Sequence, residues 1–149
     1  MLPIKKILAP IDFDHFSNQS LDYAVKLAAR LHATVHVIHV YPIPAYSFPD
    51  GALITSAELA VRLSETAQKH LDLAVASQQG HGVELSTALL TGNPWEEIGK
   101  VAKTEHADLI VMGTHGRRGM ARAILGSVAE QVIRTSTVPV LVVPRGETS

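Results

Sequence analysis

Five short apolar runs, each set off by a longer stretch of helical periodicity, leave this chain few folds to choose from. Residues 4–9 read as a first buried strand stopped by Pro10, and residues 34–41 as a second closed by Pro42. Residues 83–90, 108–112 and 138–143 supply three more. Between them, Leu21, Ala24, Val25, Ala28 and Leu31 repeat at helical spacing, with Ser17 as N-cap. Leu59, Leu63, Ala67, Leu71 and Ala74 mark a second helix that Gly80 and Gly82 end. Asn93-Pro94-Trp95-Glu96 is a compact helix start: Asn caps, Pro takes the first helical position, and Glu is placed to close a capping box. Ile98, Val101 and Ala102 give that helix its buried face, and a fourth helix runs through Val128 and Val132. Strand–helix alternation of this regularity predicts an α/β fold, one doubly wound open parallel sheet with helices on both faces. Pro139 and Pro144 remove ladder donors, which favours an edge position for the last strand. Residues 42–55 hold three prolines and a glycine and read as a long loop.

Composition narrows the function classes. A length of 149 residues predicts one domain, residues 1–149, able to bury a sizeable core. Apolar residues at 46% against 18% charged favour a folded globule. A net charge of −1 gives no global footprint for nucleic acid or an anionic membrane. Without cysteine, disulfides, thiolate metal sites and a Cys nucleophile drop out. Lys5 and Lys6 interrupt the first apolar run, so a secretory signal is not expected, and no run nears the roughly 20 apolar residues of a membrane span. The expectation is a soluble cytoplasmic protein.

The chemistry gathers after the fourth strand. Residues 108–112, ending in Met112, lead into Gly113-Thr114-His115-Gly116, nine further residues, then Gly126-Ser127 and a helix. Glycines let backbone approach a ligand closely, and a helix N-terminus offers unpaired N–H groups and a positive dipole end to an anion. Strand, glycine loop and Ser-capped helix therefore suggest a phosphate cradle. The nine-residue stretch adds Arg117, Arg118, Gly119 and Arg122, and one of Arg117 and Arg118 is expected to reach a phosphate, since a guanidinium fork suits phosphate oxygens. Arg134 lies further along the following helix. His115 contributes its side chain or only its backbone. Neither G-x-x-x-x-G-K-[ST] nor a strand-borne G-x-G-x-x-G occurs. In open sheets of this class the ligand crevice lies beyond the strands' carboxyl ends at a topological switch point. If the first and fourth strands are neighbours, Asp12 faces the cradle. There its carboxylate either caps a turn, accepts hydrogen bonds from ribose hydroxyls, or helps hold Mg²⁺ on the phosphates. Eight histidines raise a metal site, but His36 and His39 are three apart on a strand, so they point to opposite faces, and no H-E-x-x-H occurs. No dedicated metal site is expected.

These residues resemble the universal stress protein family, in its nucleotide-binding subgroup, from about residue 5 to residue 144. The family's G-x2-G-x9-G-[ST] signature is matched by Gly113, Gly116, Gly126 and Ser127. Pro10-x-Asp12, Gly92-x-Pro94 and Val138-Pro139-Val140 add to it. The resemblance implies five strands in the order 3-2-1-4-5 and ATP in the crevice. It puts Pro10 and Asp12 near the adenosine, Val40 against adenine, and Gly113, Gly116 and Gly126 around the phosphates. Ser127 and the N–H of Val128 would bond to those phosphates. The candidate site is thus Pro10, Asp12, Val40, Met112, Gly113, Thr114, His115, Gly116, Arg117, Arg118, Gly119, Gly126, Ser127 and Val128.

An apolar edge strand is a liability unless paired or covered. The family's answer is antiparallel pairing of residues 138–143 with the same strand of a second copy, a homodimer. A cradle without P-loop lysine or evident base for activating water favours a nucleotide-dependent regulatory module in the stress response, with an unidentified protein partner. Two alternatives remain: a slow Mg²⁺-dependent ATPase or phosphotransferase using Asp12, and a nucleotide-free interaction protein.

Overall fold

The computed structural model describes residues 2–13, 15–42, 46–47, 53–54, 57–114 and 125–144, with the backbone alone for 15–17, 46–47 and 53–54. In chain order the elements are β1 (Lys6–Pro10), α1 (His15–Leu31), β2 (Thr34–Tyr41), β3 (Tyr46–Ser47), β4 (Leu53–Ile54) and α2 (Ala57–Ala76). They continue as β5 (Leu85–Thr91), α3 (Pro94–Thr104), β6 (Leu109–Gly113), α4 (Ser127–Thr135) and β7 (Val140–Val143). Five strands form one parallel sheet in the order β5-β2-β1-β6-β7. That is the expected 3-2-1-4-5 arrangement, and the proline-flanked β7 stands at an edge.

The order fixes where the helices lie. The chain steps from β1 to β2 to β5 in one direction, then returns across the sheet to β6 and β7. Right-handed crossovers in opposite directions put their helices on opposite faces. Accordingly Leu21, Ala24, Val25 and Ala28 of α1 and Leu71 of α2 pack on Ile7, Ala9, Val35, Val37 and Val111. Across the sheet, Ile98, Val101 and Ala102 of α3 and Ala129 and Val132 of α4 pack on Leu8, Ile38, Ile110 and Met112. Alternate residues of each central strand feed the two cores, which is why those strands are apolar without interruption.

Several boundaries depart from the sequence reading, each for a local reason. Asp108 precedes β6 instead of opening it, because its carboxylate accepts the backbone N–H groups of Lys5 (2.8 Å) and Lys6 (3.0 Å). Helical backbone begins at His15, so Ser17 lies within the first turn of α1 and is not its cap. The 42–55 stretch, expected as loop, contains β3 and β4 paired antiparallel through Tyr46↔Ile54 and Ser47↔Leu53. Asn93 caps α3 by backbone position, with Pro94 at the first position, but its side chain makes no capping bond. In α2 Leu71 is fully buried while Leu63 stays 37% exposed. His70 already meets Phe13 beyond the end of β1, and no residue of the preceding turns is buried.

Two features give direct tests. Gly92 holds φ +133, its N–H donates to the Tyr41 carbonyl, and an added Cβ would sit 3.2 Å from the Glu97 side chain. Gly92→Ala is expected to lower stability by about 1–3 kcal/mol, read as a lower urea midpoint at unchanged slope; an unchanged midpoint would show that the turn tolerates a side chain. His36, 9% exposed, shares a 2.7 Å hydrogen bond between Nδ1 and Ser86 Oγ. Burial pushes its imidazole below the ordinary 6.5, Lys6 adds to the effect, and Glu105 opposes it. The unfolded chain then binds the proton more readily, so this contribution is intact above pH 6.5 and is lost as pH falls toward the lowered value. His36→Gln should flatten the loss of stability between about pH 7 and pH 5 relative to wild type, and parallel curves would contradict the assignment.

Candidate functional site

The switch point of the sheet lies between β1 and β6, where α1 departs to one face and α4 to the other. Among the described residues the two strands pair only at Ile7↔Leu109 and Leu8↔Ile110. On their outer sides both stay paired further, β1 to Pro10↔Ile38 and β6 to Gly113↔Val143. Pairing between β1 and β6 stops there because Pro10 has no N–H to donate to β6, and each strand's carboxyl end is held by its outer neighbour. Ligands of open α/β sheets bind at such a switch point, beyond the strands' carboxyl ends.

The walls come from the two strand ends. On one side, Ile11 continues past β1 by donating its N–H to the Ile38 carbonyl (2.8 Å), and half-buried Asp12 follows. Val40, 9% exposed, is the penultimate residue of β2 and lies on the α3/α4 side. On the other side, buried Met112 and half-buried Gly113 finish β6, and half-buried Thr114 follows. The Thr114 carbonyl accepts the N–H of Gly126, which brings together the two ends of the glycine loop. Pro10, Asp12, Val40, Met112, Gly113, Thr114, Gly126, Ser127 and Val128 are all described, whereas His115, Gly116, Arg117, Arg118 and Gly119 lie outside the described residues.

Gly126, not Ser127, is the N-cap of α4. It adopts an extended conformation (φ −64, ψ 153), and its carbonyl accepts the Glu130 N–H at 2.9 Å. Ser127 is the first helical residue and is exposed. The N–H groups of Ser127, Val128 and Ala129 have no acceptor within the helix, so the N-terminus of α4 presents donors and the positive end of its dipole. Arg134 is removed from this end: it sits in the last turn and pairs with Glu130 at 2.8 Å.

Behind Asp12 the sequence reading missed a group of rings. Phe13 has φ 71, and its ring lies 4.0 Å from that of His39. His39, 9% exposed, places Nδ1 2.7 Å from the Ile11 carbonyl oxygen. Tyr41 stacks on the outer side of His39 at 6.3 Å, and His70 of α2 meets Phe13 edge-on at 5.3 Å. The available signal was a polar ring in an otherwise aliphatic buried strand, which must satisfy its nitrogens somewhere. His36 and His39 do lie on opposite faces. Among the described residues no group of three or more His, Asp or Glu is placed to hold a metal ion.

The model of the universal stress protein family matches residues 3–144. Universal stress protein MJ0531 of Methanocaldococcus jannaschii is 38% identical over 143 residues, covering 95% of this chain and 82% of that one. The solved structure of protein MJ0577, a universal stress protein of the same organism, superposes with a TM-score of 0.78 at 30% identity, covering 99% of this chain and 100% of that one. A universal stress protein from Archaeoglobus fulgidus, solved in complex with dAMP, shares the fold at a TM-score of 0.65 and 23% identity, covering 95% of this chain and 98% of that one.

Proposed function

Because the chain belongs to the universal stress protein family, we propose that it is one of the members that bind ATP, and that occupancy of its crevice sets a regulatory state in the stress response. The observation that carries this reading is the switch point between β1 and β6, where their pairing ends, with α4 capped by the Gly126 backbone and the complete glycine signature in the sequence linking β6 to α4. The dAMP complex of the fulgidus protein supports an adenine nucleotide on this fold.

In this reading Asp12 accepts hydrogen bonds from the ribose hydroxyls, while Pro10, Val40 and Met112 form the apolar wall for the base. Gly113, Thr114, His115, Gly116, Arg117, Arg118 and Gly119 surround the phosphates, and Gly126, Ser127 and the N–H of Val128 receive them at α4. Mg²⁺ would enter with the phosphates and offset their charge, with Asp12 as a carboxylate that could help hold it. Residues 1–149 act as one domain in the cytoplasm. The bound nucleotide shapes residues 42–55 or the dimer surface and so alters partner binding.

Gly126→Val tests the cradle. Valine adopts φ −64 and ψ 153 without strain, so the substitution crowds the donors of α4 without opposing the backbone. Calorimetric affinity for ATP should fall about tenfold or more, as expected for loss of charge-assisted bonds, and equal affinity would remove the cradle from the account.

The free edge of β7 supports the dimer. Val140, Leu141, Val142 and Val143 are all only partly buried, and β7 pairs through β6 alone among the described residues. A second copy pairing there would cover the edge. Leu141→Lys should give monomers by analytical ultracentrifugation while the circular dichroism of the fold persists. A folded variant that stays dimeric would exclude this interface.

A further inference from the structure

We infer that His39 is a positioning residue that fixes the Asp12 carboxylate for the sugar of the bound nucleotide. The inference rests on the nucleotide reading above and assigns a role to a side chain outside the glycine signature.

Asp12 lies in the short connection between β1 and α1, where no strand pairing constrains it. A connection like this would ordinarily let a carboxylate wander. Here the residues on both sides of it are tied down by the same imidazole. On the amino side, Ile11 has both backbone polar groups committed: its N–H to Ile38, and its carbonyl to His39 Nδ1 at 2.7 Å. A carbonyl only accepts, so Nδ1 carries the hydrogen. On the carboxyl side, Phe13 sits at φ 71, a region that a bulky residue rarely adopts. Backbone in that region persists only when surrounding structure holds it. The ring of His39 at 4.0 Å, with His70 of α2 edge-on at 5.3 Å, is what holds it. The ring of Tyr41 lies nearly parallel to that of His39, with centroids 6.3 Å apart.

Packing alone would not call for histidine. On the same face of β2, Val35 and Val37 fill the core with aliphatic side chains. An aliphatic residue at position 39 would bury as well and would leave the Ile11 carbonyl without its donor, so the polar ring is there for its hydrogen bond. Recognition of two hydroxyls by one carboxylate tolerates little displacement, which is why supporting contacts of this kind matter for selectivity.

The test compares ATP with 2′,3′-dideoxy-ATP by calorimetry in wild type, Asp12→Asn, His39→Asn and His39→Gln. Asparagine carries an amide donor near the Nδ1 position, and glutamine moves the donor away from it. Wild type should prefer ATP by about tenfold, the discrimination expected of hydrogen bonds to a charged group. Asp12→Asn and His39→Gln should each bring that ratio close to one, the double variant should go no further, and His39→Asn should preserve most of it. A purely structural role would change both histidine variants alike and leave the ratio untouched. If His39→Gln does not fold, Phe13→Asn, which suits positive φ but lacks the ring, should lower the same ratio. An unchanged ratio in the folded variant, with ATP still bound and Asp12→Asn impaired, overturns the inference and leaves the nucleotide reading standing. Failure of wild type to bind ATP at millimolar concentration overturns both.

Discussion

Everything proposed for this protein depends on the switch point between its two central strands. β1 and β6 share a register at Ile7↔Leu109 and Leu8↔Ile110, and beyond it each strand end is held by its outer neighbour. Pro10 ends their shared pairing by lacking an N–H, and the topology sends the helix leaving β1 to one face and the helix leaving β6 to the other. Asp12 follows β1 and the N-terminus of α4 follows β6, so both belong to the switch point of the sheet. The two cores supply the stiffness, with Ile7, Leu8, Ile110 and Val111 fully buried directly beneath the opening. The crevice is thus a consequence of how the sheet is wound, and it needs no dedicated loop to create it.

Stiffness and adjustability are divided between the two walls. The Asp12 wall is fastened through a short chain of contacts, from Ile38 through Ile11 to His39 and from His39 to Phe13. On the other wall, the Gly126 N–H donates to the Thr114 carbonyl, and the N–H groups of the first turn of α4 that follow have no acceptor within the helix. One wall suits recognition of a sugar by a fixed carboxylate, the other suits an anion that makes its own contacts on arrival. His70 extends the fastened wall into α2, the helix that follows residues 42–55.

The fold was legible because its signals are local and repeated. Uninterrupted apolar runs announce strands buried on both faces, and Pro139 announces the edge. The start of α3 at Asn93-Pro94 could be read to the residue. What was not legible depends on partners distant in sequence. Asp108 looked like the first residue of a strand until its carboxylate met the amides of Lys5 and Lys6, about a hundred positions earlier. Leu63 obeyed the helical period, yet period alone does not reveal whether a strand lies beneath it. At the site, the glycine signature and Asp12 stood out through spacing and position after a strand. His39 did not, because its bond to Ile11 spans 28 residues and its spacing from His36 invited only a metal reading. Serine favours the cap position, so Ser127 reads as the cap in sequence, but the extended backbone of Gly126 with its accepted bond from Glu130 claims it.

The most direct test of the central claim is a titration of the isotope-labelled protein with ATP, followed through its backbone amide resonances. The account predicts that the largest shifts fall on Ile11, Asp12 and Phe13 on one wall and on Thr114, Gly126, Ser127 and Val128 on the other, with β5 and the C-terminal turn of α3 unaffected. Saturating ATP that leaves those amides unmoved, or moves only residues away from the carboxyl ends of β1 and β6, would contradict it.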